Sequence, residues 1–494
     1  MFSPLTTLAA DPPPPVPHTG GLLLLIHGTA GLLTVAALGI GLLLLLIIKA
    51  RVQPFVALLG VSIAVGLAAG LSVTELFGTV QKSSATSLIE TGMGGTLGHI
   101  AIIIALGTML GAILEISGGA EALSGRLLSA FGEKRAPIAM GLTGLIFGIP
   151  VFFDVGIFVL APIVYAAAKR NGKSMVLYAM PLLAGLSMTH AFLPPHPGPV
   201  AAAGLLHVQL GWVILMGAAV GIPSVIAAWV YAAWIGQRIF VPVPQDMVDA
   251  ADEAKAAVAA EQQAAGVTPV ETPVSLGTVL AIIGTPLFLI LCATFSSIAL
   301  DPSTGRSVIE FFGHPFVALM IALFLAYYLL GIRRGWSRKS LETVSTASLK
   351  PVGNILLVVG AGGVFGAVLK GSGVAQALAD AFDSAGLPII VLAWLISVVL
   401  RVAQGSATVA IVTTAGIVAP MLSAGDFSQA HLALVIMAIS AGSIFASHVN
   451  DGGFWMVSKY FGISERDTLK SWTVLESVLS VSGFAVAAAL SLVI

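Results

Sequence analysis

The sequence predicts an all-α polytopic membrane protein made of two inverted-topology repeats, and three observations support this. Hydrophobic residues make up 57% of the 494 residues and charged residues only 9%, whereas soluble domains carry about 25% charged residues. Apolar runs recur at lengths that cross a bilayer, and a segment of the first half recurs in the second. We expect each repeat to have five spans plus one re-entrant helical hairpin, with helices broken near mid-membrane.

The charge and cysteine content excludes several functional classes. The formal net charge is -1, so no basic face indicates a nucleic-acid partner. A single cysteine, Cys292, rules out an intramolecular disulfide and a thiolate metal cluster. Its expected role is that of a small buried apolar residue. No G-x-x-x-x-G-K-[ST] motif is present, which argues against ATP-driven transport encoded in this chain.

Ten apolar runs are candidates for spans, since a helix needs about 20 residues to cross a bilayer. They lie near 21–48, 53–71, 99–118, 175–193, 210–235, 275–298, 311–331, 352–371, 428–448 and 473–493. Residues 1–20 contain no Lys or Arg and therefore lack the basic region of a signal peptide. They are expected to form a disordered Pro-rich tail, and 237–274 an acidic, Ala-rich cytoplasmic linker.

Two further apolar regions, 137–168 and 388–420, are interrupted in the middle, at 153–156 and at 401–406. Cytoplasmic loops are rich in Lys and Arg. Basic residues flank the first region and acidic residues the second, so both are expected to be hairpins that open to opposite faces. The same rule places the N-terminus in the periplasm and every basic cluster inside.

An internal repeat supports this division. Residues 98–123 and 353–378 read GHIAIIIALGTMLGAILEISGGAEAL and GNILLVVGAGGVFGAVLKGSGVAQAL and align without gaps. Because the two halves enter the membrane from opposite sides, the repeat is inverted, an arrangement that many secondary transporters use. The predicted repeats are 21–236 and 275–494.

The tip of the second hairpin has the features of an anion site. Ser406 is expected near the N-cap of a half-helix that follows Gly405, and a helix N-terminus offers free N–H donors and the positive end of the dipole. Arg401 can bind a carboxylate by two parallel hydrogen bonds. The alternative is that Arg401 pairs with Asp154 or Asp451 and holds the tips together.

Two carboxyl groups are candidates for proton coupling. Asp154 interrupts the first hairpin and is the first choice, with a helix N-cap for Val155 onward as the alternative. Glu115 is a secondary candidate. It and Lys370 occupy equivalent positions near span ends, where snorkelling or anchoring explains them equally well.

A second pair of breaks follows the hairpins, at HAFLPPHPGP from His190 and SHVNDGG from Ser447. At this break a repeat offset of about 254 residues places His196 opposite Asn450. These groups are candidates for binding substrate hydroxyls or relaying protons, although His190, His196 and His448 can equally be structural histidines. No H-E-x-x-H spacing indicates a metal site.

Five motifs resemble the gluconate:proton symporter (gluconate permease) family of the ion transporter superfamily, over the chain from about residue 30 to its end. They read GAILEISGGAEAL, PVFFDVGIFVLAPIV, FLPPHPGPVAA, RVAQGSATVAIVTTAGIVAP and ASHVNDGGFWMVSKYFG. The resemblance implies transport of gluconate or a related sugar acid across the bacterial inner membrane, with relatives that take other small hydroxy acids or D-serine. It also implies a set of substrate-site residues: Asp154, Arg401, Ser406, Thr408, Asn450 and Asp451.

The leading hypothesis is proton-coupled uptake of a small hydroxycarboxylate. The expected partners are this substrate, protons and the lipid bilayer, with no metal and no cofactor, and a homo-oligomer is left open. Sodium coupling and anion exchange are the nearest alternatives. An intramembrane enzyme that uses Asp154 and Asp451 as an acid–base pair is a more distant one, because the sequence around them lacks a catalytic motif.

Overall fold

The computed structural model describes residues 28–78, 87–243, 274–350, 352–385, 388–423, 425–449 and 451–494. The predicted N-terminal tail and most of the predicted linker lie outside these ranges. Regular structure in the described part is helical. The helices of the first half are α1 (Thr29–Ile48), α2 (Pro54–Ala68), α3 (Val73–Phe77), α4 (Leu88–Ile116), α5 (Gly119–Phe131), α6 (Ala136–Phe147), α7 (Phe153–Asn171), α8 (Met175–Phe192), α9 (Pro197–Leu205) and α10 (Leu210–Gly236).

The second half begins at residue 274 of the described chain. Its helices are α11 (Leu276–Ala299), α12 (Thr304–Phe312), α13 (Pro315–Ala326), α14 (Arg338–Ser348), α15 (Val352–Gly371), α16 (Val374–Ala385), α17 (Ile389–Gln404), α18 (Ala407–Leu422), α19 (Gln429–Ser443), α20 (Gly452–Tyr460), α21 (Glu465–Thr468) and α22 (Val474–Ser491). A π-helical turn, Leu469–Thr473, joins α21 to α22 without a break.

Serine residues start many of these helices. In each case the side-chain oxygen accepts a hydrogen bond from a first-turn backbone N–H, which satisfies a donor that the helix itself cannot. The serine N-caps are Ser72, Ser87, Ser174, Ser275, Ser303, Ser337, Ser406, Ser428 and Ser464. These serine residues thus mark where helices begin, even in apolar runs that show no helical periodicity.

Within the described residues, eight helical segments are long and apolar enough to cross a membrane, which confirms a multi-span protein. Two of the ten expected spans are shorter, since α2 and α19 have 15 residues each. The chain leaves α19 at Ile444, and Ala446 has a φ of 48°, a conformation that costs energy for an L-residue. The apolar run that predicted a span over 428–448 therefore continues past the helix.

Both interrupted regions contain a break between two helices. The first break lies at 148–152, just before the predicted interruption, because Pro150 lacks the N–H that a helix interior needs. Asp154 is then the second residue of α7, and the N-cap is Phe152 rather than Asp154. In the second region Gly405 ends α17 with a φ of 85°, which only glycine adopts readily.

The helices of the two halves pack reciprocally. α4 of the first half packs against α15 of the second. α4 also contacts α13, and α15 also contacts α2. α10 packs against α22. The helices that follow the breaks also pack across the halves: α7 contacts α20, and α18 contacts α9. Residues at both breaks, Asp154 and Gly405 among them, border the same cavity.

Within each half, glycine residues allow neighbouring helices to approach closely. A Cβ atom on Gly144 of α6 would lie 2.1 Å from the Leu182 carbonyl oxygen of α8, and one on Gly185 would lie 2.5 Å from the Leu145 nitrogen. In the second half, a Cβ on Gly416 of α18 would lie 3.0 Å from the Gly362 carbonyl oxygen of α15. Small residues thus allow backbone to approach backbone, as in other membrane helix packings.

Gly144→Ala should lower the thermal unfolding midpoint of the purified protein in detergent. The added methyl group must push α6 away from α8, and overpacking costs about 1–3 kcal/mol. Gly94→Ala on α4 is the matched control, because a Cβ there meets no atom within 4 Å. This variant should be neutral or stabilised by up to about 1 kcal/mol through helix propensity. Equal midpoints for the two variants would contradict the packing account.

Candidate functional site

A cavity of about 590 Å³ lies where the breaks of the two interrupted regions meet. Its volume is in the range of small-molecule sites. It is lined by the starts of α7, α18 and α20, the end of α17 and faces of α8, α15 and α22. Its polar lining side chains include Asp154, Ser187, His190, Asn354, Arg401, Gln404, Ser406, Thr408, Asp451 and Glu476.

Arg401 and Asp451 form an ion pair in the wall of this cavity. Arg401, only 4% exposed, donates from Nη2 to Asp451 Oδ2 and from Nη1 to the Gly405 carbonyl oxygen. Ser447 Oγ also donates to Asp451 Oδ2, and the Gly453 N–H donates to Oδ1 at 3.1 Å. The pair joins the end of α17 to the start of α20. The structural alternative considered for Arg401 is therefore present with Asp451, while no ion pair joins Arg401 to Asp154 among the described residues.

The ion pair leaves hydrogen-bonding capacity unused. A guanidinium has five N–H donors, and the contacts above account for two of them. Arg401 Nε is buried without a partner among the described residues, as are both amide atoms of Gln404 on the same helix end. Buried polar groups nearly always have a partner, which can be water or a ligand. These free groups therefore favour a bound polar molecule in the cavity.

Three helix N-termini face the same space. α18 begins after Ser406, whose Oγ accepts from the Val409 N–H at 3.4 Å. α20 begins after Asp451, and α7 begins after Phe152 with no side-chain cap. The residues at all three starts line the cavity. N-terminal N–H groups and helix dipoles together favour negative charge, so the arrangement suits an anion.

The cavity has two further carboxyl groups, in different surroundings. Asp154 is exposed in the cavity and has no hydrogen bond or ion pair with any residue that the structure describes. Glu476 on α22 is 1% exposed; its Oε2 accepts from Ser187 Oγ at 3.0 Å, and its Oε1 has no partner in the described chain. Glu476 is not among the site residues that the sequence predicts. The feature that could have indicated it is an acidic residue within the last apolar run.

The other predicted site residues are distributed unevenly. Gly405, Ser406 and Thr408 line the cavity together with Arg401, Asp451 and Asp154. Glu115 lies near the end of α4 and is not among the lining residues. Asn450 falls outside the described residues.

The two histidines of the first proline-rich break face different spaces. His196 is buried, with Nε2 2.6 Å from the Gly148 carbonyl oxygen, and it borders a separate small void beside Pro150. His190 lines the main cavity. The two rings lie 4.9 Å apart. His196 also contacts the Phe152 ring, so it lies behind two residues of the cavity wall, His190 and Phe152.

The Arg401–Asp451 pair should be strongly coupled in a double-mutant cycle of unfolding midpoints. Asp451→Ala leaves a buried charge unpaired, which costs about 3–5 kcal/mol, whereas the double variant Arg401→Ala with Asp451→Ala removes both charges and should lose much less than the sum. The control cycle uses the half-exposed Arg306–Glu310 pair, with Nε 2.7 Å from Oε1. Its coupling should be about 0.3–0.5 kcal/mol. Additive effects at Arg401 and Asp451 would contradict a structural role for the pair.

Comparison with known proteins identifies relatives over nearly the whole chain. The model of the family described as GntP family permease matches residues 31–493. The chain is 42% identical over 458 residues to "Inner membrane permease YgbN" of Escherichia coli (strain K12), covering 92% of this chain and 97% of the relative. It is 38% identical over 454 residues to a gluconate permease of Pseudomonas aeruginosa, covering 92% and 96%.

Two solved structures share the fold. One is MtrF of Neisseria gonorrhoeae, with a TM-score of 0.57, 16% identity and coverage of 94% of this chain and 95% of that one. The other is the YdaH transporter of Alcanivorax borkumensis, with a TM-score of 0.57, 17% identity and coverage of 93% and 98%. At these identities the likeness concerns the architecture alone.

Proposed function

Since the chain belongs to the GntP family of permeases, and is thus a membrane transport protein rather than an enzyme, we propose that it takes up gluconate or a related small hydroxycarboxylate by proton symport across the bacterial inner membrane. The observation that carries the proposal is the cavity between the two breaks, where an arginine with unused donors and three helix N-termini meet. Relatives named as gluconate permeases and transporters support the substrate class.

The proposed position of the carboxylate is against Arg401 and the start of α18. Gly405, Ser406 and Thr408 border this position, so the substrate oxygens would face backbone N–H groups and a hydroxyl. Gln404 would serve the substrate hydroxyls, because its amide has both a donor and an acceptor free. Asn450, which precedes Asp451 in the sequence, and His196, through His190, complete the proposed site.

The transport mechanism that we propose is alternating access between two inverted repeats, 21–236 and 275–494. The reciprocal packing of α2 with α15 and of α13 with α4 supports this symmetry. In this arrangement the paired helices α6–α7 and α17–α18 are re-entrant hairpins, and the binding site lies at the repeat interface near mid-membrane. The N-terminus would be periplasmic and the linker 237–274 cytoplasmic.

Asp154 is the proposed proton carrier that faces the substrate. Its carboxyl group lies in the cavity close enough to Asp451 for the two to repel each other when both are ionised. Protonation of Asp154 removes one negative charge from a space that must accept an anion. Glu115 lies apart from the cavity and is at most a remote member of a proton path.

Labelled gluconate should accumulate in proteoliposomes under an inward proton gradient, and a protonophore should abolish the accumulation. Arg401→Lys should raise the gluconate concentration for half-maximal uptake by about 10–100-fold, because an ammonium cannot form two parallel bonds to a carboxylate. Lysine keeps a positive charge beside Asp451, so this variant tests binding without leaving a buried charge unpaired. Arg466→Lys, at an exposed arginine of α21, is the control and should transport normally.

The same assay separates the alternatives. Uptake that needs a sodium gradient would indicate sodium symport instead of proton symport. Uptake that needs an internal anion and no ion gradient would indicate anion exchange. Uptake of D-serine but of no sugar acid would change the substrate class. Normal uptake by Arg401→Lys would remove Arg401 from the binding site.

A further inference from the structure

Glu476 differs from the other carboxyl groups of the cavity in being almost fully buried and, among the described residues, without an ion pair. It is 1% exposed, whereas Asp154 is exposed in the cavity. Asp451 has Arg401 as its ion-pair partner, but no ion pair involves Glu476 among the described residues. The one hydrogen bond to its carboxyl group comes from Ser187 Oγ, and Oε1 has no described partner.

An ionised carboxylate in this position is costly, because burial removes its hydration and a single hydroxyl replaces little of it. A protonated carboxyl group avoids the cost and needs only the hydrogen bonds of a neutral acid. The Ser187 hydroxyl can donate to the ionised carboxylate, so the ionised form keeps one hydrogen bond. Glu476 is therefore placed to alternate between two protonation states within the cavity wall.

The charged and titratable groups around Glu476 do not provide a counter-ion. Arg401 of α17 and Asp451 act on it with opposite sign, as expected of a pair whose charges cancel. His190 of α8 and Asp154 of α7 line the same cavity. The helices α10 and α19, which pack on α22, contribute one titratable group each: Tyr231, bonded to the Lys470 carbonyl oxygen, and His431, which stacks on Phe427.

We propose that Glu476, held by Ser187, is a proton-binding site of the transport cycle, and that its protonation and the binding of an anionic substrate promote each other. The inference rests on the proposed function, in that the cavity must receive an anion. Because Arg401 already balances Asp451, an ionised Glu476 adds uncompensated negative charge beside the substrate. By linkage, a proton that strengthens anion binding is itself bound more tightly when the anion is present.

The position of Glu476 also joins its charge state to the ion pair. Trp472, one turn earlier on the same continuous helix, donates from Nε1 to Ser447 Oγ at 2.8 Å, and Ser447 donates to Asp451. Ser187 belongs to α8 of the first half and Glu476 to α22 of the second. A change in the Glu476–Ser187 contact thus acts between the halves.

Glu476→Gln in the full-length protein tests the proposal, because glutamine resembles the protonated acid and can keep a hydrogen bond to Ser187. Wild-type affinity for gluconate should fall with rising pH, by up to about tenfold per pH unit for one linked proton, and this dependence should weaken in the variant. Proton-driven accumulation should be lost, while gluconate counterflow persists. Glu465→Gln, at an exposed carboxylate of α21, is the control and should behave as wild type.

Unchanged pH dependence and accumulation in Glu476→Gln would overturn the proposal. A substrate-independent readout separates its failure from that of the proposed function. Infrared difference spectra of the purified protein across a pH titration should show the carbonyl stretch of a protonated carboxylic acid that Glu476→Gln lacks. If this band is present while no sugar acid is bound, the substrate assignment is wrong and the proton site stands; if it is absent, the proton site is wrong.

If Glu476→Gln does not fold, Ser187→Ala serves in its place. It leaves the carboxyl group intact and removes the hydroxyl that favours the ionised form. The infrared band of the protonated acid should then persist to more alkaline pH than in wild type. A band with unchanged pH behaviour would overturn the role given to the Glu476–Ser187 contact.

Discussion

A helix that is broken inside an apolar environment leaves backbone N–H and C=O groups that lipid cannot satisfy, and the centre of this protein is organised around that constraint. Arg401 donates to the carbonyl of Gly405, where α17 ends, and to the carboxylate of Asp451, which in turn accepts from the N–H of Gly453 at the start of α20. One ion pair thus helps to satisfy backbone groups at two helix ends, the end of α17 and the start of α20. Its removal would leave both without a partner.

The same constraint explains why the cavity lies between the halves. Non-helical backbone at membrane depth persists where it is enclosed by protein or lines a polar space. Close glycine contacts, Gly144 against Leu182 and Gly416 against Gly362, bring α6 tightly against α8 and α18 tightly against α15. The breaks themselves cannot be packed so closely, because three helix starts converge there. The remaining space is bordered by both apolar and polar side chains, and it holds the candidate site.

The sequence predicts those parts of the structure in which a polar residue interrupts an apolar run. Arg401 and Asp154 were found because each interrupts such a run, and Ser406 was expected near an N-cap and occupies one. Glu476 is absent from the predicted site because the predicted span, 473–493, places an acidic residue at 476 close to its end. The helix instead continues from Glu465 through the π-helical turn Leu469–Thr473, so Glu476 lies well inside it. Helix continuity through a polar segment depends on tertiary packing and has no local signature.

The direction of side chains at the proline-rich break was likewise beyond the sequence. The repeat offset placed His196 opposite Asn450 and suggested equivalent roles, but His196 contacts the Gly148 carbonyl oxygen at 2.6 Å and faces a separate void. Proline residues predict that the helix must end. They do not determine which of the following side chains turns toward the other half.

The unused donors of Arg401 bear on how an anion and a proton would share this site. Two of the five N–H groups of the guanidinium have described partners, so three donors remain for a substrate carboxylate. The ion pair then stays neutral, and the substrate charge is balanced only by helix N-termini, whose partial charges are about half a unit each. With Asp154 and Glu476 both ionised the cavity would repel an anion. The charge balance of the site therefore favours binding of the anion together with protons, which is the electrostatic requirement of symport.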